Sequence, residues 1–231
     1  MRAWLLALLL SVVLAAAMVT HGRMWSLPDR HNPWAPLSYD ETPGWLTGYK
    51  LRRLGAEPAA CQAFVASLPW QSEPVADRET GPGCGFRDAL LVRRTSMQVG
   101  TPFTLSCQAA ASLALWERHV LQPQAQQVFG MPVRRIEHFG SYACRNVYGR
   151  ETGRRSQHAT ADAFDVAGFV LQDGRRITVA RDWTGAEEAA RFLRNVHLGA
   201  CSLFDGVLGP EYNRAHADHF HFDRGTARIC R

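Results

Sequence analysis

The chain has 231 residues, 46% of them hydrophobic, which is enough for one well-buried domain and a short additional segment. Its formal net charge is +5, and the basic residues are spread along the chain in pairs such as Arg52-Arg53 and Arg134-Arg135. Spread charge is typical of a solvated surface, and neither a nucleic-acid-binding motif nor alternation with aromatic residues accompanies it. Composition and charge therefore argue against a nucleic-acid partner.

An uncharged apolar segment, residues 3–19, follows Met1 and Arg2. A cleaved signal peptide has an apolar core of about 7 to 15 residues, whereas a membrane-spanning helix needs roughly 17 to 25. The segment falls on the border between the two, and the alanines at positions 15–17 leave cleavage open. We predict that residues 1–20 direct export as a signal peptide or an N-terminal membrane anchor, and we favour the anchor.

Residues 21–50 are rich in proline, tryptophan and turn residues and show neither helical nor strand periodicity. The stretch His-Asn-Pro-Trp-Ala-Pro at residues 31–36 is typical of this segment. We interpret residues 21–50 as a linker that runs along a domain formed by residues 51–231.

All six cysteines lie in the predicted domain, and an even number in an exported chain indicates disulfide bonds. Zinc binding by these cysteines is the alternative, but the sequence has no Cys-x-x-Cys spacing. One pair is expected to bracket a loop and another to tie down the C terminus. We predict that the pairs are Cys61 with Cys84, Cys107 with Cys144, and Cys201 with Cys230.

Two helices and several strands are predicted within the domain. The first helix is indicated by apolar residues at helical spacing that end near Pro123, namely Ala109, Leu113, Trp116 and Val120. The second follows the possible capping box Thr184-x-x-Glu187, is expected to stop at Gly199, and has its apolar residues at Ala189, Phe192, Leu193 and Val196. Residues 133–136 are predicted to form a strand, and Asp173-Gly174 is predicted to form a tight hairpin turn between two strands. The order of elements predicts an α+β domain, with an antiparallel sheet flanked by helices.

The most informative residues are histidines, because three of them fall within six residues near the end of the chain. In a strand, His219 and His221 share one face by the two-residue repeat, while Phe220 and Phe222 point to the other. Further upstream, Asp165 lies on the small-residue face of a second probable strand. Small neighbours leave room for a metal ion and a substrate.

Imidazoles together with a carboxylate are the ligands that hold zinc with one position open to water. For any single histidine, solvation or a hydrogen bond to the backbone is the more common explanation. For the whole group we favour a metal site. A purely structural metal is the alternative, with a fourth ligand from His216, His219 or Asp162.

The segment Ser156-x-His158-x-x-Ala161-x-Ala163-x-Asp165 resembles the first zinc motif of the D-alanyl-D-alanine metallopeptidases, which usually have glycine where Ala161 stands. The pattern His216-x-x-His219-x-His221 is similar to that of the penicillin-insensitive murein endopeptidases, which share the same hedgehog-like fold. Together with Gly-Ser-Tyr-Ala-Cys-Arg at residues 140–145, these motifs resemble the bacterial extensin-like C-terminal domain family. The likeness covers roughly residues 50–231.

The resemblance implies that His158, Asp165 and His221 bind Zn²⁺ and that His216 and His219 serve the chemistry. We assign the general base to His216 and transition-state stabilisation to His219. One departure concerns the base, because many relatives have glutamate where this chain has Asp218. The identity of the base therefore stays open at this point.

Arg145 is expected to bind a substrate carboxylate with two parallel hydrogen bonds, beside Tyr142. The alternative is that Arg145 is one of many surface arginines, since the chain has only one lysine, Lys50.

The resemblance implies a disulfide-crosslinked, hedgehog-like zinc peptidase of the periplasm, tethered to the inner membrane by residues 3–19 if the anchor is retained. Its expected activity is hydrolysis of an amide bond in peptidoglycan peptides, of the D,D-carboxypeptidase or endopeptidase type. A non-catalytic zinc-containing module that binds cell wall or protein is the first alternative. An exported disulfide-rich scaffold without metal is the second.

Overall fold

The computed structural model describes residues 2–20 and 27–231 and divides into two compact units, Met1–Pro36 and Leu37–Arg231. In the first unit, helix α1 (Arg2–Thr20) is long and apolar enough to cross a membrane. Such a helix fits a signal sequence or a membrane anchor, and it is consistent with export. Of the predicted linker, residues 21–26 lie outside the described residues.

The second unit combines helices with β-strands, which confirms the α+β class. Its α-helices are α2 (Thr47–Ala56), α3 (Pro58–Ala66), α4 (Cys107–Trp116), α5 (Gln122–Phe129), α6 (Val179–Asp182) and α7 (Glu187–Ala200). Its strands are β1 (Gln71–Val75), β2 (Arg78–Gly81), β3 (Cys84–Phe86), β4 (Ala89–Arg94), β5 (Gln98–Ser106), β6 (Val133–Gly140), β7 (Ala163–Leu171), β8 (Arg176–Thr178), β9 (Gly206–Leu208), β10 (Phe220–Asp223) and β11 (Ile229–Cys230).

The main sheet has the strand order β1-β4-β5-β6-β7-β10-β9-β11, with β8 paired to β7, while β2 and β3 form a separate hairpin. The sheet is mixed, because β5 pairs with β6 and β9 with β11 in parallel, so the prediction of an antiparallel sheet is wrong in this respect. The physical reason is the connection from β5 to β6. It runs through α4 and α5, and a helical crossover of this length can return the chain to the same end of the sheet.

The two predicted helices differ from those observed at their ends. The first does not stop near Pro123, because a π-helical turn (Glu117–Leu121) leads from α4 into α5. Pro123 lies in the first turn of α5, directly after the π-helical turn, and the left-handed Gly130 (φ 68°) ends the helix.

The second helix, α7, begins after Ala186 without a side-chain cap, so the capping box proposed for Thr184 does not form. This helix also continues through Gly199 to Ala200. The predicted strand at residues 133–136 lies within β6, and the Asp173-Gly174 turn joins β7 to β8 as an antiparallel pair. The predicted strand and the predicted hairpin are therefore confirmed.

The disulfide bonds are Cys61–Cys107, Cys84–Cys144 and Cys201–Cys230, with Cα separations of 6.0, 5.4 and 5.7 Å. The last predicted pair is confirmed and the first two are wrong. Helix α3 packs on α4 and brings Cys61 to the start of that helix, while β3 lies against the loop after β6. Cysteines that are distant in sequence are therefore the ones that meet.

One hydrophobic core contains residues of both the sheet and the helices. Trp116 of α4 is fully buried, and its ring centroid lies 5.2 Å from that of Phe222 in β10. Phe220 and Phe222 are both completely inaccessible to solvent, whereas His221 between them faces a cavity on the opposite side of the strand. The predicted alternation in β10 is confirmed, and it directs His221 out of the core.

Candidate metal centre

Two neighbouring strands bring together the predicted carboxylate and imidazole ligands. Strand β10 pairs with β7 in antiparallel register, and His221 is the direct partner of Asp165. Direct partners in an antiparallel pair project to the same face of the sheet, with Cβ atoms about 4.5–5.5 Å apart. The pairing therefore places the two side chains side by side at the surface of the core.

His158 reaches the same point from a 3₁₀ turn (Gln157–Thr160) that precedes β7. The hydroxyl of Ser156 accepts a hydrogen bond from the backbone N–H of His158, and Ala161 ends the turn in the left-handed conformation with φ 57°. A left-handed residue is strained unless it is glycine. Alanine therefore adopts this conformation at an energetic cost that glycine would not incur.

The potential ligand atoms of His158, Asp165 and His221 all lie within 4.8 Å of one another. Nε2 of His158 is 3.1 Å from Oδ2 of Asp165 and 3.1 Å from Nδ1 of His221, and that Nδ1 is 2.9 Å from Oδ1 of Asp165. Ligands at tetrahedral angles around zinc, with bonds of about 2 Å, lie about 3.3 Å apart. The three residues therefore fit such an ion with little rearrangement.

Hydrogen bonds on the far sides of the two imidazoles orient them. Nδ1 of His158 donates to the carbonyl oxygen of Ser141 at 2.5 Å, which leaves the Nε2 lone pair facing the cluster. Nε2 of His221 donates to Oδ2 of Asp223 at 3.0 Å, so its Nδ1 faces the cluster. Partners of this kind determine which ring nitrogen can bind a metal.

Asp223 is a residue that the sequence analysis missed. Its second oxygen accepts a hydrogen bond from the backbone N–H of Gly225 at 2.7 Å. A Cβ atom at Gly206 would collide with the Asp223 carboxylate, so glycine at this position keeps space for it. The signal was present in the sequence, because Asp223 follows His221 by two residues and so shares its face of β10.

The charges of the cluster are coupled. Burial alone would lower the pKa of His221, but the hydrogen bonds and charges of Asp165 and Asp223 outweigh it and raise the pKa to about 9. Burial likewise opposes ionisation of Asp165, yet His158 and His221 hold its pKa well below its ordinary value. Without a metal, a protonated His221 compensates an ionised Asp165. A bound cation would take over the role of that proton.

His216 and His219, the predicted catalytic residues, lie beside this cluster. The ring centroid of His216 is 5.3 Å from that of His219 and 5.8 Å from that of His221. Burial, and then the nearby charges of His221 and His219, lower the pKa of His216 to about 4. His216 is therefore neutral at physiological pH and can accept a proton.

His219 lies between two carboxylates. Its Nδ1 is 2.8 Å from Oδ1 of the largely exposed Asp218, and its Nε2 is 3.6 Å from Oδ1 of Asp165. The carboxylate of Asp218 is thus directed at a histidine. The third candidate for a fourth metal ligand, Asp162, lines a different cavity and hydrogen-bonds to Thr160.

A cavity of about 330 Å³ opens in front of the cluster. It is lined by the three potential ligands, by His216 and His219, and by Arg145, Arg154, Tyr148 and Tyr212. Neither of these two arginines forms an ion pair within the part of the chain that the structure describes. The lining of the cavity therefore includes two arginines that could pair with an incoming anion.

Of the two predicted substrate-binding residues, the structure places only one at the cavity. Arg145 lines the cavity, on a loop that the Cys84–Cys144 disulfide ties to β3. Tyr142 does not line it, since its hydroxyl bonds to Thr80 and its ring packs edge-on against Phe86. Tyr148 and Tyr212 supply the aromatic walls instead, and nothing in their local sequence pattern pointed to them.

The fold and the cluster define an α+β domain with a histidine–aspartate group that could hold a metal ion. A family model for the extensin-like protein C-terminus matches residues 59–231, and the chain belongs to this family. The resemblance to the extensin-like C-terminal domain family is thereby confirmed. No curated protein and no solved structure matches the chain.

Proposed function

We propose that this protein is a zinc-dependent hydrolase that cleaves an amide bond in peptidoglycan peptides. The observation that carries the proposal is the convergence of His158 Nε2, Asp165 and His221 Nδ1 at the edge of an open cavity. Three protein ligands and one open position are the arrangement of catalytic zinc sites, whereas structural zinc sites are closed by a fourth protein ligand. A zinc ion bound there would supply Lewis acidity next to the substrate.

The neighbouring histidines suit the two other requirements of amide hydrolysis. His216 is neutral at physiological pH and can accept a proton at Nε2, because its Nδ1 faces the side-chain oxygen of Asn213. His219 is hydrogen-bonded to Asp218, and in its protonated form it would stabilise the negative charge that develops on the carbonyl oxygen. In this assignment His216 serves as the general base, so no glutamate is needed.

The nature of the substrate is supported by charge and by the motifs. Arg145 and Arg154 can pair with a carboxylate, and stem peptides of peptidoglycan carry free carboxylates. The similarity to peptidases that act on these peptides points the same way, and it also supports a hedgehog-like fold. Helix α1 is consistent with export, and we place the domain in the periplasm, on the outer side of the inner membrane.

Hydrolysis can be tested by incubating the purified full-length chain with crosslinked muropeptides, with and without a chelator. We expect shortened or uncrosslinked peptides, loss of activity on chelation and its recovery with zinc. His158→Ala should abolish activity, whereas His31→Ala, a histidine of the first unit, should not.

The two alternatives correspond to distinct outcomes of the same experiment. A chain that binds zinc stoichiometrically but cleaves nothing is a zinc-containing binding module. A chain without metal on elemental analysis, and unable to take up zinc, is a disulfide-crosslinked scaffold.

A further inference from the structure

Asn213 connects the predicted general base to a wall of the cavity. Its side-chain Oδ1 lies 3.0 Å from the backbone nitrogen of Ala215 and 2.8 Å from Nδ1 of His216. Its Nδ2 donates to the hydroxyl of Tyr148 at 3.0 Å. One amide group thus contacts both a histidine and a tyrosine that line the same cavity.

The backbone determines the orientation of this amide. The N–H of Ala215 is a donor, so the atom that faces it must be the carbonyl oxygen of Asn213. The same oxygen can only accept, and Nδ1 of His216 must therefore carry a hydrogen. In the neutral ring, Nε2 is then left with the free lone pair.

The other end of the amide contacts a strained residue. Tyr148 has φ 59° and ψ 21°, a left-handed conformation that costs a non-glycine residue of order 1–3 kcal/mol. Its ring is half exposed, lies under the guanidinium of Arg150 and borders the cavity. Such strain persists only where the surroundings hold the residue in place, and the Asn213 amide is one such contact.

We propose that Asn213 is a positioning residue, which holds His216 in its Nδ1–H tautomer with Nε2 free and ties it to Tyr148 at the cavity wall. The consequence for catalysis rests on the proposed hydrolytic function, because only there does Nε2 of His216 accept a proton. The tautomer itself is a property of the folded chain.

A purely structural role is the competing explanation, since Asn213 also caps the 3₁₀ turn Arg214–His216. Asn213→Ser separates the two roles. Serine is an equally good cap residue, but its shorter side chain does not extend to Nδ1 of His216 while capping Ala215. Asn213→Asp keeps both acceptor contacts. Tyr148→Phe leaves Asn213 in place but removes its hydrogen bond to the wall, together with the hydrogen bond between Tyr148 and Tyr212.

The tautomer can be measured by nitrogen-15 NMR of histidine-labelled, metal-free, full-length protein in detergent, with the His216 signals assigned by their loss in His216→Ala. We expect a protonated Nδ1 and an unprotonated Nε2 in wild type, in Asn213→Asp and in Tyr148→Phe. In Asn213→Ser the two signals should move toward each other or exchange, while the melting temperature stays close to that of wild type. A wild-type His216 protonated at Nε2, or a wild-type tautomer in a folded Asn213→Ser, would overturn the proposal.

Turnover of crosslinked muropeptides provides a second readout. We expect Asn213→Ser to lower kcat by about tenfold or more, with KM and bound zinc unchanged. An unchanged kcat in this variant would contradict the positioning role. If wild type itself cleaves nothing, the proposed hydrolytic function fails, and the NMR measurement still decides whether Asn213 selects the tautomer.

Discussion

Asp223 accepts a hydrogen bond from Nε2 of His221 at 3.0 Å and so directs the opposite ring nitrogen into the candidate metal centre. The Asp223 carboxylate keeps this position because Gly206 leaves space beside it and because the backbone N–H of Gly225 donates a hydrogen bond to it. The candidate metal centre therefore depends on residues beyond its three potential ligands, and their contribution can be measured.

Replacing Asp223 should weaken metal binding without removing a ligand. Loss of such an outer hydrogen-bond partner typically lowers metal affinity by about 10–100-fold. We expect Asp223→Ala to lie in this range and Asp223→Asn, which keeps an acceptor but loses the charge, to be less affected. Competition with a chromophoric chelator would measure the zinc affinity, with Asp40→Asn at an exposed ion pair as the control. Unchanged affinity in Asp223→Ala would exclude this role.

How far the sequence predicts this site depends on the distance over which each contact acts. His158, Asp165 and His221 were predicted from short motifs. The two-residue repeat decides which way the side chains of Asp165 and His221 point, whereas His158 lies in a 3₁₀ turn and was found through the motif alone. Asp223 obeys the same repeat and could have been found in that way. Tyr148 could not, because it reaches the cavity through a left-handed loop conformation that no periodicity encodes.

The same distinction applies to the fold. The strand at residues 133–136 and the hairpin at Asp173-Gly174 follow from local pattern, and both were predicted. The pairing of Cys61 with Cys107 depends instead on how α3 packs against α4. The parallel pairing of β5 with β6 likewise depends on the path of the crossover between them.

Zinc affinity should increase with pH, because the cation must displace the proton that His221 carries in the metal-free protein. Since the pKa of His221 is about 9, the ring is largely protonated at neutral pH. Below that pKa, binding of one ion releases about one proton, so the apparent affinity should rise by about tenfold per pH unit and level off above it. Calorimetry at about pH 6 and about pH 8, in buffers of different ionisation enthalpy, would count the protons. Equal affinities at the two values would show that no such proton is displaced.

His216→Ala should leave zinc bound and remove most of the turnover. His216 is not among the three clustered ligands, and general-base catalysis typically contributes about 10²–10⁴-fold to a rate. Elemental analysis and muropeptide hydrolysis on the same sample would separate the two effects, with His158→Ala as the variant that should lose the metal. If His216→Ala lost its zinc instead, His216 would be a ligand and another group would have to serve as base.

Glu117 should make the folded state less stable as pH rises, independently of the metal centre. It is completely buried in the π-helical turn, where Oε2 accepts hydrogen bonds from the backbone N–H and the hydroxyl of Ser96. Burial raises its pKa from 4.5 to about 7, although the Ser96 and Thr95 hydrogen bonds oppose the shift. The folded chain therefore binds this proton more tightly than the unfolded chain does. The associated stability is fully present below pH 4.5 and is lost as pH rises through about 7.

Glu117→Gln keeps an acceptor for Ser96 but cannot ionise, so its free energy of unfolding should not show this decline. Relative to wild type, the variant should gain on the order of 1–3 kcal/mol between about pH 5 and about pH 8. Urea unfolding of both proteins across this range would measure the difference, and Glu188→Gln at an exposed position of α7 controls for the loss of a negative charge. If the curves for wild type and Glu117→Gln ran parallel, Glu117 would have the same pKa in the folded and unfolded chains, and burial in the π-helical turn would not control its ionisation.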